Sequence, residues 1–114
     1  MAVIYHNPRC GTSRNVLQAL QDTGRELRII EYLKAPLGRE ALAALISSAG
    51  ISVREAVRSK EAIYAELGLD APSIDDEALL RAMEAHPILM NRPFVVTEKG
   101  TRLCRPADVL REIL

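Results

Sequence analysis

The chain has 114 residues, 48% of them apolar, and its 15 basic and 15 acidic side chains cancel to a formal net charge of zero. That length and composition predict one domain, residues 1–114, with a core large enough to need no staple. No basic stripe with interleaved aromatics marks a nucleic-acid surface, and no apolar run approaches the length of a bilayer span.

Residues 2–5 (AVIY) read as a short buried strand. From Gly11 to Thr23 the pattern is helical, with Val16, Leu17 and Leu20 on one face and Gly24 as the stop. Residues 27–33 read as a second strand, after which Pro36 and Gly38 break the chain. Leu42, Leu45, Ile46 and Ala49 then mark a helix closed by Gly50. Ser52 and Glu55 form a capping-box pattern for a short helix ending near Arg58. Another short helix covers Glu61–Leu67, closed by Gly68, and 70–73 is a turn. Residues 75–85 form a helix with Leu79, Leu80 and Met83 inward, ended by Pro87. Residues 94–97 (FVVT) and 101–104 are two strands around a turn at 98–100, and Pro106 opens a last helix, 106–113. The order is β-α-β, a block of helices, then β-β-α. A parallel crossover followed by a tight antiparallel hairpin gives an α/β, thioredoxin-like fold. Its mixed four-stranded sheet is flanked by helices, and a helical insertion separates the βαβ and ββα halves.

The two cysteines, Cys10 and Cys104, are 94 positions apart, which fits neither a disulfide framework nor a zinc site; no metal is expected. The N-terminus has no signal-peptide pattern, so a cytoplasmic setting with reduced thiols is expected. Cys10 falls at the predicted N-terminus of the first helix, where the dipole and free N–H groups favour a thiolate. Ser13 can offer it a hydroxyl or a backbone N–H, Arg9 and Arg14 add positive potential, and His6 ends the first strand. The bland alternatives are a buried cysteine packing as a small hydrophobe, an ordinary hydrogen-bonded histidine and a solvated arginine. The polar, turn-forming neighbours of Cys10 favour chemistry over packing. Position 13 is Ser, so there is no C-x-x-C dithiol; position 16 is Val, so there is no C-x5-R phosphatase loop. The anion clamp and the second thiol must come from elsewhere. Arginines outnumber lysines twelve to three, and guanidinium forks match oxyanions well, but codon usage gives the same excess.

The stretch HNPRCGTSRN (6–15) resembles the active-site motif of the glutaredoxin-coupled arsenate reductases. The likeness continues through YLKAP (32–36), GISVREAVR (50–58), LGL (67–69), HPILMNRP (86–93) and GTRLCRP (100–106), covering essentially the whole chain. The resemblance implies Cys10 as nucleophile, His6 and Ser13 as its assistants, and Arg58, Arg92 and Arg105 as oxyanion ligands. Without it, each arginine reads as a surface ion pair. It also implies a cis bond at Arg92–Pro93, cheap because the second residue is proline. The implied reaction is reduction of arsenate to arsenite by a cytoplasmic monomer. Glutathione is co-substrate, glutaredoxin the partner, and no cofactor is tightly bound. The alternatives are another thiol-dependent reductase or thiol transferase of the same scaffold, and a non-enzymatic regulator that binds RNA polymerase. Cys104 adjoins Arg105, and strand alternation points neighbouring side chains apart. If Arg105 faces the anion, Cys104 is therefore expected to pack inside.

Overall fold

In the computed structural model, which describes residues 1–114, strand β1 (Ala2–His6), helix α1 (Gly11–Asp22) and strand β2 (Leu27–Glu31) form the βαβ half. The two strands are parallel, in register from Ala2 opposite Leu27 to His6 opposite Glu31. Helices α2 (Arg39–Ser48), α3 (Val53–Ala56), α4 (Ala62–Glu66) and α5 (Asp76–Ala85) form the insertion. Strands β3 (Phe94–Thr97) and β4 (Gly100–Leu103) follow, then a 3-10 helix, Ala107–Ile113. The sheet order is β2-β1-β3-β4, with β1–β3 and β3–β4 antiparallel. This is the mixed thioredoxin-like sheet with its helical insertion. No helix is long and apolar enough to cross a membrane.

Strand alternation divides the core between the two faces of the sheet. Ala2, Ile4 and Val95 meet Val16 and Leu20 of α1 and Leu110 and Ile113 of the C-terminal helix. Phe94 points the other way, into the insertion, against Tyr32, Leu42, Ile46, Leu79, Met83 and Leu89. His6 continues the Ala2–Ile4 face and so arrives beneath the start of α1.

The structure departs from expectation at element ends. The second strand stops at Glu31 rather than residue 33, because Glu31 O accepts from both Lys34 N and Ala35 N and turns the chain. Tyr32 is thereby tucked fully into the core. Pro87 opens a 3-10 turn, Pro87–Leu89, rather than merely ending α5. The C-terminal element is a 3-10 helix: Ala107, Leu110 and Ile113 recur every three residues, and that period aligns them on one inward face. Pro106 is its N-cap rather than its first helical residue. Arg92–Pro93 is cis, as the resemblance implied, and so is Arg105–Pro106.

Candidate active site

Cys10 is the N-cap of α1, with extended backbone angles. The loop before it is built by Asn7. Asn7 O accepts from Cys10 N at 3.0 Å, Asn7 Oδ1 accepts from Arg9 N at 3.0 Å, and Asn7 N donates to Ser13 Oγ at 3.1 Å. An asparagine that bonds its own backbone two residues on is a standard turn device, and here it aims a half-buried sulfur at the helix terminus.

Burial alone would push the Cys10 thiol up. The Ser13 backbone N–H and the Arg105 and Arg92 guanidiniums more than offset it and bring the pKa down to about 7. The serine contributes through its main chain, and the thiol makes no full capping hydrogen bond. Its hydroxyl is turned instead to His6, with Nδ1 at 2.7 Å from Oγ. His6 is nearly enclosed; burial lowers its pKa, Glu31 across the β1–β2 pair opposes the shift, and Arg14 adds to it. His6 therefore faces Ser13 rather than the sulfur. Ser13 has one hydroxyl proton, and the imidazole tautomer decides whether it goes to His6 or stays available. Arg14 donates to Pro8 O at 3.0 Å and so braces the loop.

The three arginines converge on Cys10 from distant parts of the chain. Arg105 Nη1 lies 3.5 Å from Cys10 Sγ and 3.3 Å from Arg92 O. Arg92 is buried; its Nη1 donates to Ile88 O at 3.1 Å and its Nη2 to Glu61 Oε1 at 2.9 Å. Arg58 follows α3, and an isolated bridge between Val57 and Met90 stitches it to the Arg92 segment. Arg58 N donates to Leu89 O at 2.7 Å and Asn91 N to Ala56 O at 2.8 Å. Burial lowers the Arg58 pKa, and the Arg105 and Arg92 charges lower it further, so the cations crowd one another. Burial also opposes the charge of Arg92, but Glu61, Tyr32 and Cys10 raise it overall. The Nε groups of Arg58 and Arg92 are buried without a hydrogen-bond partner. Unpaired buried donors carry a desolvation cost that an anionic oxygen relieves.

All six residues expected from sequence lie around this loop, but His6 and the Ser13 hydroxyl reach the sulfur only indirectly. Cys104 points away, fully buried in the α1-side core, and burial pushes its thiol up to about 12. Three neighbours escaped the sequence reading. Asn7 had a local signal, its place just ahead of a helix start. Tyr32, whose hydroxyl donates to Met90 O at 3.2 Å beneath Arg92, read as a strand residue. Glu61 read as the first residue of a helix, and nothing local ties it to Arg92. Nowhere do three or more His, Cys, Asp or Glu side chains gather as metal ligands do. A low-pKa thiol ringed by guanidiniums can attack the central atom of a tetrahedral oxyanion whose charge the guanidiniums offset.

Residues 5–113 match the ArsC family. An arsenate reductase of Rhizobium meliloti (strain 1021) is 57% identical over 111 residues, spanning 97% of this chain and 79% of that protein. An arsenate reductase of Escherichia coli (strain K12) is 52% identical over the same spans. Among solved structures, an arsenate reductase from Vibrio cholerae superposes with a TM-score of 0.94 at 40% identity, covering 99% of this chain and 97% of that one.

Proposed function

The chain belongs to the ArsC family, and from that premise we propose that it is an oxidoreductase reducing arsenate to arsenite, with Cys10 as nucleophile and Arg58, Arg92 and Arg105 as the oxyanion clamp. The observation that carries the assignment of roles is the approach of Arg105 Nη1 to 3.5 Å from Cys10 Sγ, beside a buried Arg92. A neutral disulfide substrate gives three guanidiniums nothing to neutralise; a tetrahedral oxyanion does.

The Cys10 thiolate attacks arsenic, an As–O bond breaks, and the oxygen leaves as water; arsenic is still pentavalent. The guanidiniums hold the remaining oxygens against a thiolate that would otherwise repel them. Both cysteines are free, and Cys104 is sealed in the core. The reducing thiols therefore come from outside; the proposed scheme, which fits the ArsC family, takes glutathione first and glutaredoxin second. Glutathione displaces a second oxygen as water, so arsenic carries two sulfurs. The glutaredoxin thiolate attacks the glutathione sulfur, the As–S bond to glutathione breaks, and its electron pair stays on arsenic. The two thiols leave as a mixed disulfide, arsenic is trivalent, and water releases arsenite and the Cys10 thiolate. His6 and Ser13 form a hydrogen-bonded pair behind the nucleophile that positions the helix start. The setting that supplies such thiols is the cytoplasm.

Purified protein given arsenate, glutathione and glutaredoxin should release arsenite. Omission of either thiol, or Cys10→Ser, should stop it. Turnover with glutathione alone would remove glutaredoxin from the scheme, and no arsenite under any condition would remove the reaction itself.

A further inference from the structure

Glu61 places a carboxylate inside the arginine cluster. Its Oε1 lies 2.9 Å from Arg92 Nη2 and 3.9 Å from Arg58 Nε. It is the N-cap of α4, yet its side chain caps nothing there and reaches across to Arg92 instead. A carboxylate in an anion clamp weakens the binding of every anion, so its presence calls for a compensating use. Part of that use is electrostatic, since Arg58 is crowded by Arg105 and Arg92, and Glu61 eases the repulsion. The rest is chemical. A carboxylate can only accept hydrogen bonds, and its Oε2 takes part in no hydrogen bond within the chain. An oxyanion that keeps a hydroxyl can donate to it; one that is fully ionised presents only oxygen lone pairs and is repelled.

We propose that Glu61 is the specificity-determining residue of the oxyanion site, admitting protonated tetrahedral oxyanions such as arsenate and phosphate and rejecting sulfate. This rests on the arginine-clamp reading above. Near neutral pH arsenate and phosphate each retain at least one hydroxyl, whereas sulfate retains none. Three guanidiniums, the Glu61 carboxylate and the Cys10 thiolate leave the site one net positive charge, which suits a monoanion better than a dianion. For arsenate and phosphate, the repulsion from Glu61 is offset by the hydrogen bond it accepts from the ligand's hydroxyl. For sulfate nothing offsets it.

Inorganic phosphate and sulfate, measured as competitive inhibitors of arsenate turnover, are the probes. The native protein should bind phosphate at least about tenfold more tightly than sulfate, since a like charge at contact distance is worth several-fold to many-fold even when partly solvated. Glu61→Gln should tighten sulfate by about tenfold and phosphate by less than about threefold, so that the phosphate-to-sulfate preference collapses. Glu61→Ala, which keeps no hydrogen-bonding group, should show the same loss of discrimination. Equal tightening of both probes would make Glu61 a mere competing counter-ion, and equal weakening a mere spacer between Arg58 and Arg92. Either result, or no change, overturns the proposal. Arg58→Lys and Arg92→Lys, run in the same assay, separate this from the parent reading. If folded lysine variants keep the native arsenate KM, the clamp itself is wrong and the selectivity proposal falls with it. If they raise KM while Glu61→Gln leaves the phosphate-to-sulfate ratio intact, only the selectivity proposal falls.

Discussion

Roughly half of the Cys10 side chains are thiolate at pH 7, because helix terminus and guanidiniums together hold the pKa at about 7. An unfolded chain would keep this thiol near 8.5. The sign of the linkage follows: the thiolate's contribution to stability is present above about pH 8.5 and is lost as pH falls through about 7. The same protonation sets reactivity, so alkylation by iodoacetamide should rise with pH and level off past a midpoint near 7. Arg105→Ala removes a hydrogen bond and a charge from the sulfur and should move that midpoint up, toward about 8.5. A native midpoint already in the ordinary thiol range, read from thiolate absorbance or alkylation rate, would end the argument for an activated nucleophile. The place of Cys10 was legible in the sequence because a helix start is a local signal. The two arginines that lower its pKa lie more than eighty residues away in sequence, and only the family motif pointed to them.

Helix α3 shows what an element contributes beyond its residues. Four residues make barely one turn, and a helix that short does not stand alone. Three devices hold it. The Ser52–Glu55 capping box closes its N-terminus in both directions. Arg54 donates to Leu69 O at 2.9 Å and Ile74 O at 3.1 Å, tying the helix to the loop ahead of α5. The bridge at Val57 and Met90, backed by Asn91 Nδ2 on Glu55 O, ties its end to the Arg92 segment. Ser52→Ala should therefore cost about 1 kcal/mol of stability, read by denaturant unfolding. It should also raise the arsenate KM about two- to fivefold through a loosened Arg58 while leaving the Cys10 alkylation midpoint in place. A shifted midpoint with unchanged KM would mean that α3 serves the nucleophile rather than the clamp. The capping box was readable from four letters because its chemistry is local. The bridge was not, since strand-like pairing between residues 57 and 90 leaves no periodicity in either segment. Tyr32 was misplaced for a related reason: a tyrosine in an apolar run carries the same pattern whether the strand continues or turns.

For the whole molecule, the sheet separates two cores with different duties. The insertion-side core packs Tyr32, Met90 and Phe94 beneath the arginine cluster, while the α1-side core closes over Cys104. Element order and strand alternation made this two-sided arrangement legible. That β1 pairs with β3 at the centre of the sheet was not, because pairing between the two halves of the chain depends on packing that no local pattern encodes. The division predicts opposite behaviour for the two thiols. Cys104 has no exposed surface, and its thiol is pushed up to about 12. At pH 8 iodoacetamide should modify Cys10 promptly and Cys104 only when the chain opens. The Cys104 labelling rate should therefore follow the unfolding equilibrium through a denaturant series. Removing that thiol in Cys104→Ala leaves only the Cβ methyl, deletes core contacts and should cost about 1 kcal/mol. Arsenite release should nonetheless remain near the native rate and still require both external thiols, because Arg105 turns toward the Cys10 sulfur while Cys104 turns away into the core. A folded Cys104→Ala protein that accumulates the Cys10–arsenic adduct and cannot release arsenite would mean that the second core opens during turnover and supplies a resolving thiol. Intact-mass analysis of stalled and running reactions distinguishes the two outcomes directly.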